Sequence, residues 1–428
     1  MKSLSRYSKY RDSGIEWIGE IPEHWEIKKV KWFFKQEKRR IKSNDKIITC
    51  FRDGEVTLRS NRKTEGFTNA LKEHGYQGIR KNDLVIHNMD AFAGAVGVSD
   101  SDGKATPVYS VCTPYNLNEI KPYFYAFYLR NLARKGFIQS LSKGIRERST
   151  DFRFNDFKEL TLPIPPIEEQ KTIIDYIQES NSKIGKAITQ KQELIKLLKE
   201  RQQIVINSAV TKGIDSSVVM KDSGVEWLGG VPEHWETTKL GLLLTPINIK
   251  NMPKLPLLSV VREQGIILRD IENQDTNHNF IPDDLSNYKV VKKGQFVMNK
   301  MKAWQGSYGV SNYTGIVSPA YYVFKLKNAK LIPNFFHIAI RAKFSYVPFF
   351  IQASDGVRIG QLDLSKSRMK EIPFFIPPIE EQNAIIKYIQ ESSSKIDKAI
   401  NLKKREIERL KELKETLIDG CVTGRVRV

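Results

Sequence analysis

The chain has 428 residues, with 69 Lys and Arg against 49 Asp and Glu, a formal net charge of +20 and a sequence pI near 9.6. Hydrophobic residues make up 40% and charged residues 28%, which is the balance of a globular protein and excludes a disordered one. The length exceeds one comfortable core, and the charge favours a polyanion, either nucleic acid or an anionic membrane, as partner.

No run of eighteen apolar residues occurs, so no transmembrane helix and no membrane partner are expected. The N-terminal stretch MKSLSRYSKYRDSG has no apolar stretch of the kind a signal peptide needs. Cys50, Cys112 and Cys421 are far apart and odd in number, which argues against disulfides or a zinc site and fits a reducing cytoplasm.

Along the chain the first marked block is DSGIEWIGEIPEHWE (12–26), a compact turn region rich in Trp, Pro and His. A basic stretch follows, Lys28 to Lys46, which reads either as a track for a phosphate backbone or as the solvated face of a helix. Asp83 to Met89 has the apolar pattern of a half-buried strand. Phe92-Ala93-Gly94-Ala95-Val96-Gly97 is read as a tight turn, since no helix pattern follows it as a cofactor-binding glycine loop requires. Tyr123 to Leu132 reads as a helix with an aromatic face. The loop SKGIRERSTDFR (142–153) offers Lys143, Arg146, Arg148 and Arg153 to phosphate or guanine.

Pro165-Pro166-Ile167-Glu168-Glu169-Gln170 then marks a helix start: prolines precede it, and the two acids favour the positive end of the helix dipole. From there to about Val210 no proline intervenes. Ile173, Ile177, Ile184, Ile188, Leu194, Leu198 and Val205 form a heptad-like stripe. A helix of about 40 residues is roughly 60 Å long.

The chain then repeats itself. DSGVEWLGGVPEHWE (222–236) matches the first block at eleven of fifteen positions. IPPIEEQNAIIKYIQESSSKIDKAI (376–400) matches residues 164–188 at twenty of twenty-five positions, at an offset of 212. At the same offset Gln295 to Met301 answers the strand at Asp83, and one residue short of it Asn334 to Lys343 answers the aromatic helix. The second helix carries Ile385, Ile389, Ile396, Ile400, Ile407, Leu410, Leu413 and Leu417. So long a period means two copies of one domain rather than a solenoid. Between matched blocks the copies diverge. The second offers Lys300, Lys302 and Gln305 in one loop, and Arg358 and Gln361 in SDGVRIGQLDLSK (354–366), with Gln361 suited to adenine.

The expected architecture is α+β. Domains at 1–163 and 215–375 alternate with long helices at 164–214 and 376–428, and the helices pair as an antiparallel coiled coil related by a pseudo-twofold. The short connector after Val210 requires the antiparallel sense, and the tail CVTGRVRV should lie beside the N-terminal segment. No P-loop, no metal-spaced His/Cys cluster and no Asp/Asn-Pro-Pro-aromatic motif occurs, and His24 and His234 read as hydrogen-bonded histidines beside a core tryptophan rather than as acid–base pairs with Glu23 and Glu233.

The twice-repeated EW…PEHW entry, the PPIEEQ boundary and the long helix after it resemble the specificity subunit of type I restriction–modification systems, over essentially the whole chain. The resemblance implies two target recognition domains that read an asymmetric bipartite site on double-stranded DNA. It implies docking of two methyltransferase subunits and two motor-nuclease subunits. It places S-adenosylmethionine, ATP and magnesium in those partners, and leaves this chain non-catalytic. A stand-alone nucleic-acid-binding protein and a coiled-coil assembly scaffold are the competing readings.

Overall fold

The computed structural model describes residues 5–62, 75–141, 151–269, 281–327, 329–358 and 361–428. The chain divides into two compact units, the first made of residues 1–191 and 404–428 and the second of residues 192–403. Each unit is α+β.

The first unit is built on a four-stranded antiparallel sheet. Its strands are β1 (Phe34–Gln36), β2 (Leu84–His87), β3 (Val96–Val98) and β4 (Tyr109–Pro114), in the order β1-β4-β2-β3. Leu84, Val85 and Ile86 are all fully buried, so the central strand reads as a continuous apolar run because both faces are covered. On one face, with Leu84 and Ile86, lies helix α1 (Pro122–Arg134) with buried Phe124, Tyr125 and Tyr128. On the other, with Val85 and Val111, lies the hairpin of Ile48–Cys50 and Val56–Leu58.

The second unit repeats this. Strands β5 (Leu244–Ile247), β6 (Phe296–Asn299), β7 (Tyr308–Val310) and β8 (Tyr321–Leu326) take the order β5-β8-β6-β7 and pack on α3 (Pro333–Ile340). Even the register recurs: Val85 faces Val111, and Val297 faces Val323. The glycine turns recur as well. Gly94 and Gly306 each end a short 3-10 turn in the left-handed region, at φ 91° and 88°. A side chain there would be strained, so the glycines serve the shared turn, as read from the sequence.

The long helices, which will be called α2 and α4, run over Ile167–Lys212 and Ile379–Val422. In the first unit the start of α2 (Ile173, Ile174, Ile177) shares a core with the end of α4 (Leu417, Cys421, Val422). In the second unit the end of α2 (Ala209, Val210) shares a core with the start of α4 (Ile385, Ile386, Ile389). The pair is therefore antiparallel, as expected. The stripe itself drifts from the sequence reading: Leu194 and Leu413 are exposed, while Ile195 and Leu198 are half-buried. The buried and half-buried residues keep the seven-residue spacing, Ile184, Lys191 and Leu198 on one row and Ile188 and Ile195 on the other, so Leu194 stands one residue off the repeat.

Each domain begins and ends in one place. Glu26–Lys29 pairs antiparallel with Thr161–Ile164, and Glu236–Lys239 with Pro373–Ile376. The repeated blocks meet there. His24 Nε2 lies 2.8 Å from Glu169 Oε2, and His234 Nε2 lies 2.8 Å from Glu381 Oε2. The histidines thus bond the PPIEEQ glutamates and not the adjacent Glu23 or Glu233. The tryptophans beside them, Trp25 and Trp235, are buried. Trp235 Nε1 donates to Glu381 at 3.1 Å, whereas in the first unit the Tyr7 hydroxyl takes Glu169 instead. Burial, and then this bond, push the Tyr7 hydroxyl well above its usual range.

The glutamines of the motif are buried and fully used. Gln170 Nε2 donates to the carbonyls of Glu119 and Pro165, and its Oε1 accepts from Lys121 N at the head of α1. Gln382 does the same with Lys330, Pro377 and Ile332 at the head of α3. Each unit is finished by a helix end. Gly424 lies so close to Pro22 and Trp25 that a Cβ would sit 2.4 Å from Pro22 Cδ, and Gly213 lies against Trp235 and Pro232. Arg427 N donates to Ser5 O at 2.8 Å, which places the tail beside the N-terminal segment.

Candidate nucleic-acid interface

The divergent residues gather at one end of the central sheet in each unit. In the first, β2 runs out into Asn88 and Met89, β4 begins at Tyr109 and Ser110, and the segment Asp151–Asn155 crosses between them. Two bonds hold that crossing: Phe152 N donates to Asn88 O at 3.1 Å, and Phe154 N to Ser110 Oγ at 3.1 Å. Ser110 Oγ in turn donates to Asn88 Oδ1 at 2.8 Å. The result is an open cleft of about 920 Å³, lined by Lys38, Arg40, Tyr76, Gln77, Met89 and Arg153 among others.

Lys38 and Arg40 are exposed and have no ion-pair partner among the described residues. The rest of the basic stretch is largely spoken for. Lys29 and Lys31 pair with Glu159, Lys35 with Glu37, and Arg39 with the buried Asp83. Nor is the stretch a helix face, because its core is the strands Glu26–Lys29 and Phe34–Gln36. Arg153 stands at the cleft, exposed, with its Nε 2.7 Å from Asp151 Oδ1. Lys143, Arg146 and Arg148 lie outside the described residues.

The second unit presents a different chemistry at the same fold positions. Leu364 N donates to Lys300 O, the counterpart at an offset of 212 of the Phe152–Asn88 bond. Where the first unit has Gln77, Asn88, Ser110 and Phe154, the second has Lys289, Lys300, Tyr322 and Lys366. Lys366 Nζ stands 5.4 Å and Lys289 Nζ 5.9 Å from the centre of the Tyr322 ring. Burial, followed by the charges of Lys250, Lys366 and Lys300, lowers the Lys289 ammonium from its ordinary range. Lys289 also donates to Tyr321 O, and Lys300 lies 3.3 Å from Asp363. Lysines crowded around an aromatic ring suit a phosphate backbone.

The segment read from the sequence as a loop is a β-hairpin, Ser354–Arg358 with Gln361–Leu364, followed by the helix Lys366–Glu371. Its strands were hidden by a register shift between Asp355 and Arg358, which breaks the alternation a strand normally shows. Arg358 and Gln361 face each other across its tip. The hairpin joins the turn that carries Lys300, exposed Lys302 and half-buried Gln305 through the Leu364–Lys300 bond. The structure thus unites two candidate segments that lie more than fifty residues apart in sequence.

Sequence reading missed Lys250, Lys289, Tyr322 and Lys366. A signal existed: Gln77/Lys289, Ser110/Tyr322 and Phe154/Lys366 are mismatches inside otherwise matched flanks. Among the described residues no group of His, Cys, Asp and Glu is arranged to hold a metal ion, and no helix is long and apolar enough to cross a membrane.

The family model described as type I restriction modification DNA specificity domain matches twice, over residues 22–197 and 232–412. The putative type I restriction enzyme MjaX specificity subunit of Methanocaldococcus jannaschii is 24% identical and is matched over 96% of each chain. The MjaVIII specificity subunit of the same organism is 25% identical over 73% of this chain and 72% of its own length. Among solved structures, the HsdS subunit from Thermoanaerobacter tengcongensis aligns with a TM-score of 0.54 at 16% identity, over 96% of this chain and 99% of that one. A chain from a study of complex assembly and conformational transition of the type I R-M system aligns with a TM-score of 0.65 at 14% identity, over 94% and 98%. These likenesses agree in fold with the two units described above, and the doubled family match covers most of both: the chain belongs to the family of type I restriction–modification DNA specificity subunits.

Proposed function

We propose that this chain is the sequence-reading subunit of a type I restriction–modification complex and that its two units recognise two unlike half-sites of double-stranded DNA. The observation that carries this reading is the contrast at one fold position: Gln77, Asn88, Ser110 and Phe154 on one frame, Lys289, Lys300, Tyr322 and Lys366 on its repeat. An identical frame with unlike contact residues is what two different half-sites require. The lysines, with Arg40 and Arg153, supply phosphate contacts. Gln361 and Gln305 supply base contacts.

The chain catalyses nothing itself in this reading. Two methyltransferase subunits, with S-adenosylmethionine, dock on it, and two motor-nuclease subunits bring ATP and magnesium. The complex works in the cytoplasm. The residues of α2 and α4 after PPIEEQ are the natural docking surface, because they are nearly the same in both copies.

Methylated-motif mapping in cells that carry the whole system tests the reading. Gln361→Ala should relax one base position in one half-site and leave the other half-site unchanged, a loss of about 1–3 kcal/mol of discrimination. An unchanged motif would remove Gln361 from the readout. Copurification of the chain with a methyltransferase supports the complex, whereas a chain that transfers methyl groups unaided overturns it.

A further inference from the structure

We propose that the first unit carries a phosphate-class oxyanion site, separate from the cleft at the end of the sheet, in the basic cavity between α1 and the last turns of α4. The cavity measures about 620 Å³ and includes Arg52, Arg130, Arg134, Lys411 and Lys414 in its lining, with Glu415 as its acid.

Three of these cations are already matched. Arg52 bonds Asp90, Arg134 lies 3.7 Å from Glu415, and Lys411 pairs with Glu408. Arg130 and Lys414 are not: among the described residues neither has a hydrogen-bond or ion-pair partner, and Arg130 Nε is buried. The nearest candidate for Arg130 is Asp53, but both its carboxylate oxygens are taken by Arg62, and Oδ1 also accepts from Glu55 N. Arg130 is held in place by the turn it lies on, since a Cβ on Gly54 would come within 2.5 Å of its Nε. Burial, and then the Arg130 charge, lower the Lys414 ammonium from its ordinary range.

Two half-buried cations that face one cavity, neither of them bonded to a carboxylate, are costly unless an anion joins them. A tetrahedral oxyanion fits both, because a guanidinium and an ammonium are the usual pair of donors for it. Phe92 and Phe127 form an apolar wall on one side of the cavity. The arrangement is peculiar to this unit: the counterpart of Arg130 is Arg341 at the end of α3, which donates to the carbonyls of Gly306, Tyr308, Arg262 and Glu263, and Lys414 answers to Gln202. The frame alone does not require the pair, which points to a ligand rather than to folding.

The test uses the full chain and inorganic phosphate, with chloride adjusted to constant ionic strength. Phosphate should raise the unfolding temperature of the unaltered protein by a saturable few degrees. Lys414→Gln and Arg130→Gln should abolish that rise, while Lys398→Gln, an exposed site on α4, should keep it. Lys414→Gln should also match or exceed the unaltered protein in phosphate-free buffer, because it removes a like-charge contact; this separates loss of a site from loss of fold. Binding of non-specific duplex DNA over a salt series then identifies the source. A slope of log affinity against log salt that falls by about one in Lys414→Gln assigns a DNA backbone phosphate. An unchanged slope with the phosphate response lost assigns a free or small-molecule phosphate. Equal phosphate responses in the unaltered protein and both variants overturn the proposal.

Discussion

A single buried amide shows how the frame is held. Gln170 spends both donors and its acceptor on three backbone groups from three segments: the end of the recognition domain, the turn before α1, and the head of α1. Gln170→Ala leaves those groups buried without partners, so it should lower the unfolding free energy by about 1–3 kcal/mol in urea titration. Gln382→Ala should match it, because Gln382 makes the same three bonds in the second unit. A much smaller effect of both would show that water replaces the amide. At the cleft the same scale separates affinity from sequence reading. Lys366→Ala removes an exposed ammonium over Tyr322. It should weaken DNA binding evenly across sequences and reduce the salt slope by about one, measured by fluorescence anisotropy.

At the scale of elements, α3 gives the second unit an acid sensitivity that the first unit lacks at this position. His337 on α3 accepts a bond from Val310 N through Nδ1, and its ring is largely buried. Burial, and then the Arg341 charge, lower its pKa from 6.5 to about 4. The unfolded chain therefore takes up the proton first. The stability that neutral His337 contributes is complete above pH 6.5, falls as pH drops, and is lost by about pH 4, at up to ~1.4 kcal/mol per pH unit. Denaturant titrations from pH 7 to pH 4.5 should show His337→Phe less stable at neutral pH but converging on the unaltered protein in acid. Parallel curves would contradict this. Ala126 stands at the equivalent place in the first unit. The helices α2 and α4 were legible from the sequence because proline, paired acids and a 3.5-residue stripe all mark one element. The hairpin at 354–364 was not, because a register shift disguises its strands. The lysine cluster around Tyr322 was also out of reach. Lys250, Lys289, Lys300 and Lys366 are far apart in sequence, and only the antiparallel pairing of β6 and β8 brings their segments to one end of the sheet.

For the molecule as a whole, the duplication was the most legible feature, because the residues that match are those that touch one another: His24 with Glu169, His234 with Glu381, and a helix-ending glycine on each tryptophan. What lies between them diverges and leaves no pattern to read. In the proposed function the long helices set the gap between half-sites. Inserting one turn of about four residues into α2 within Lys191–Lys199, and into the facing turn of α4, should lengthen the unspecific gap by about two base pairs. Motif mapping that returns the original gap would refute a ruler role for the helices. The strand pairs that close each domain have a further consequence. Glu26–Lys29 lies alongside Thr161–Ile164, so everything between them leaves and re-enters the frame at a single doorway. Glu236–Lys239 and Pro373–Ile376 form a doorway of the same build. In the proposed function a recognition domain could accordingly be inherited as a cassette: one genetic exchange between the PEHW and PPIEEQ codons would replace half of the DNA address while the His–Glu contacts between those two blocks stay in place.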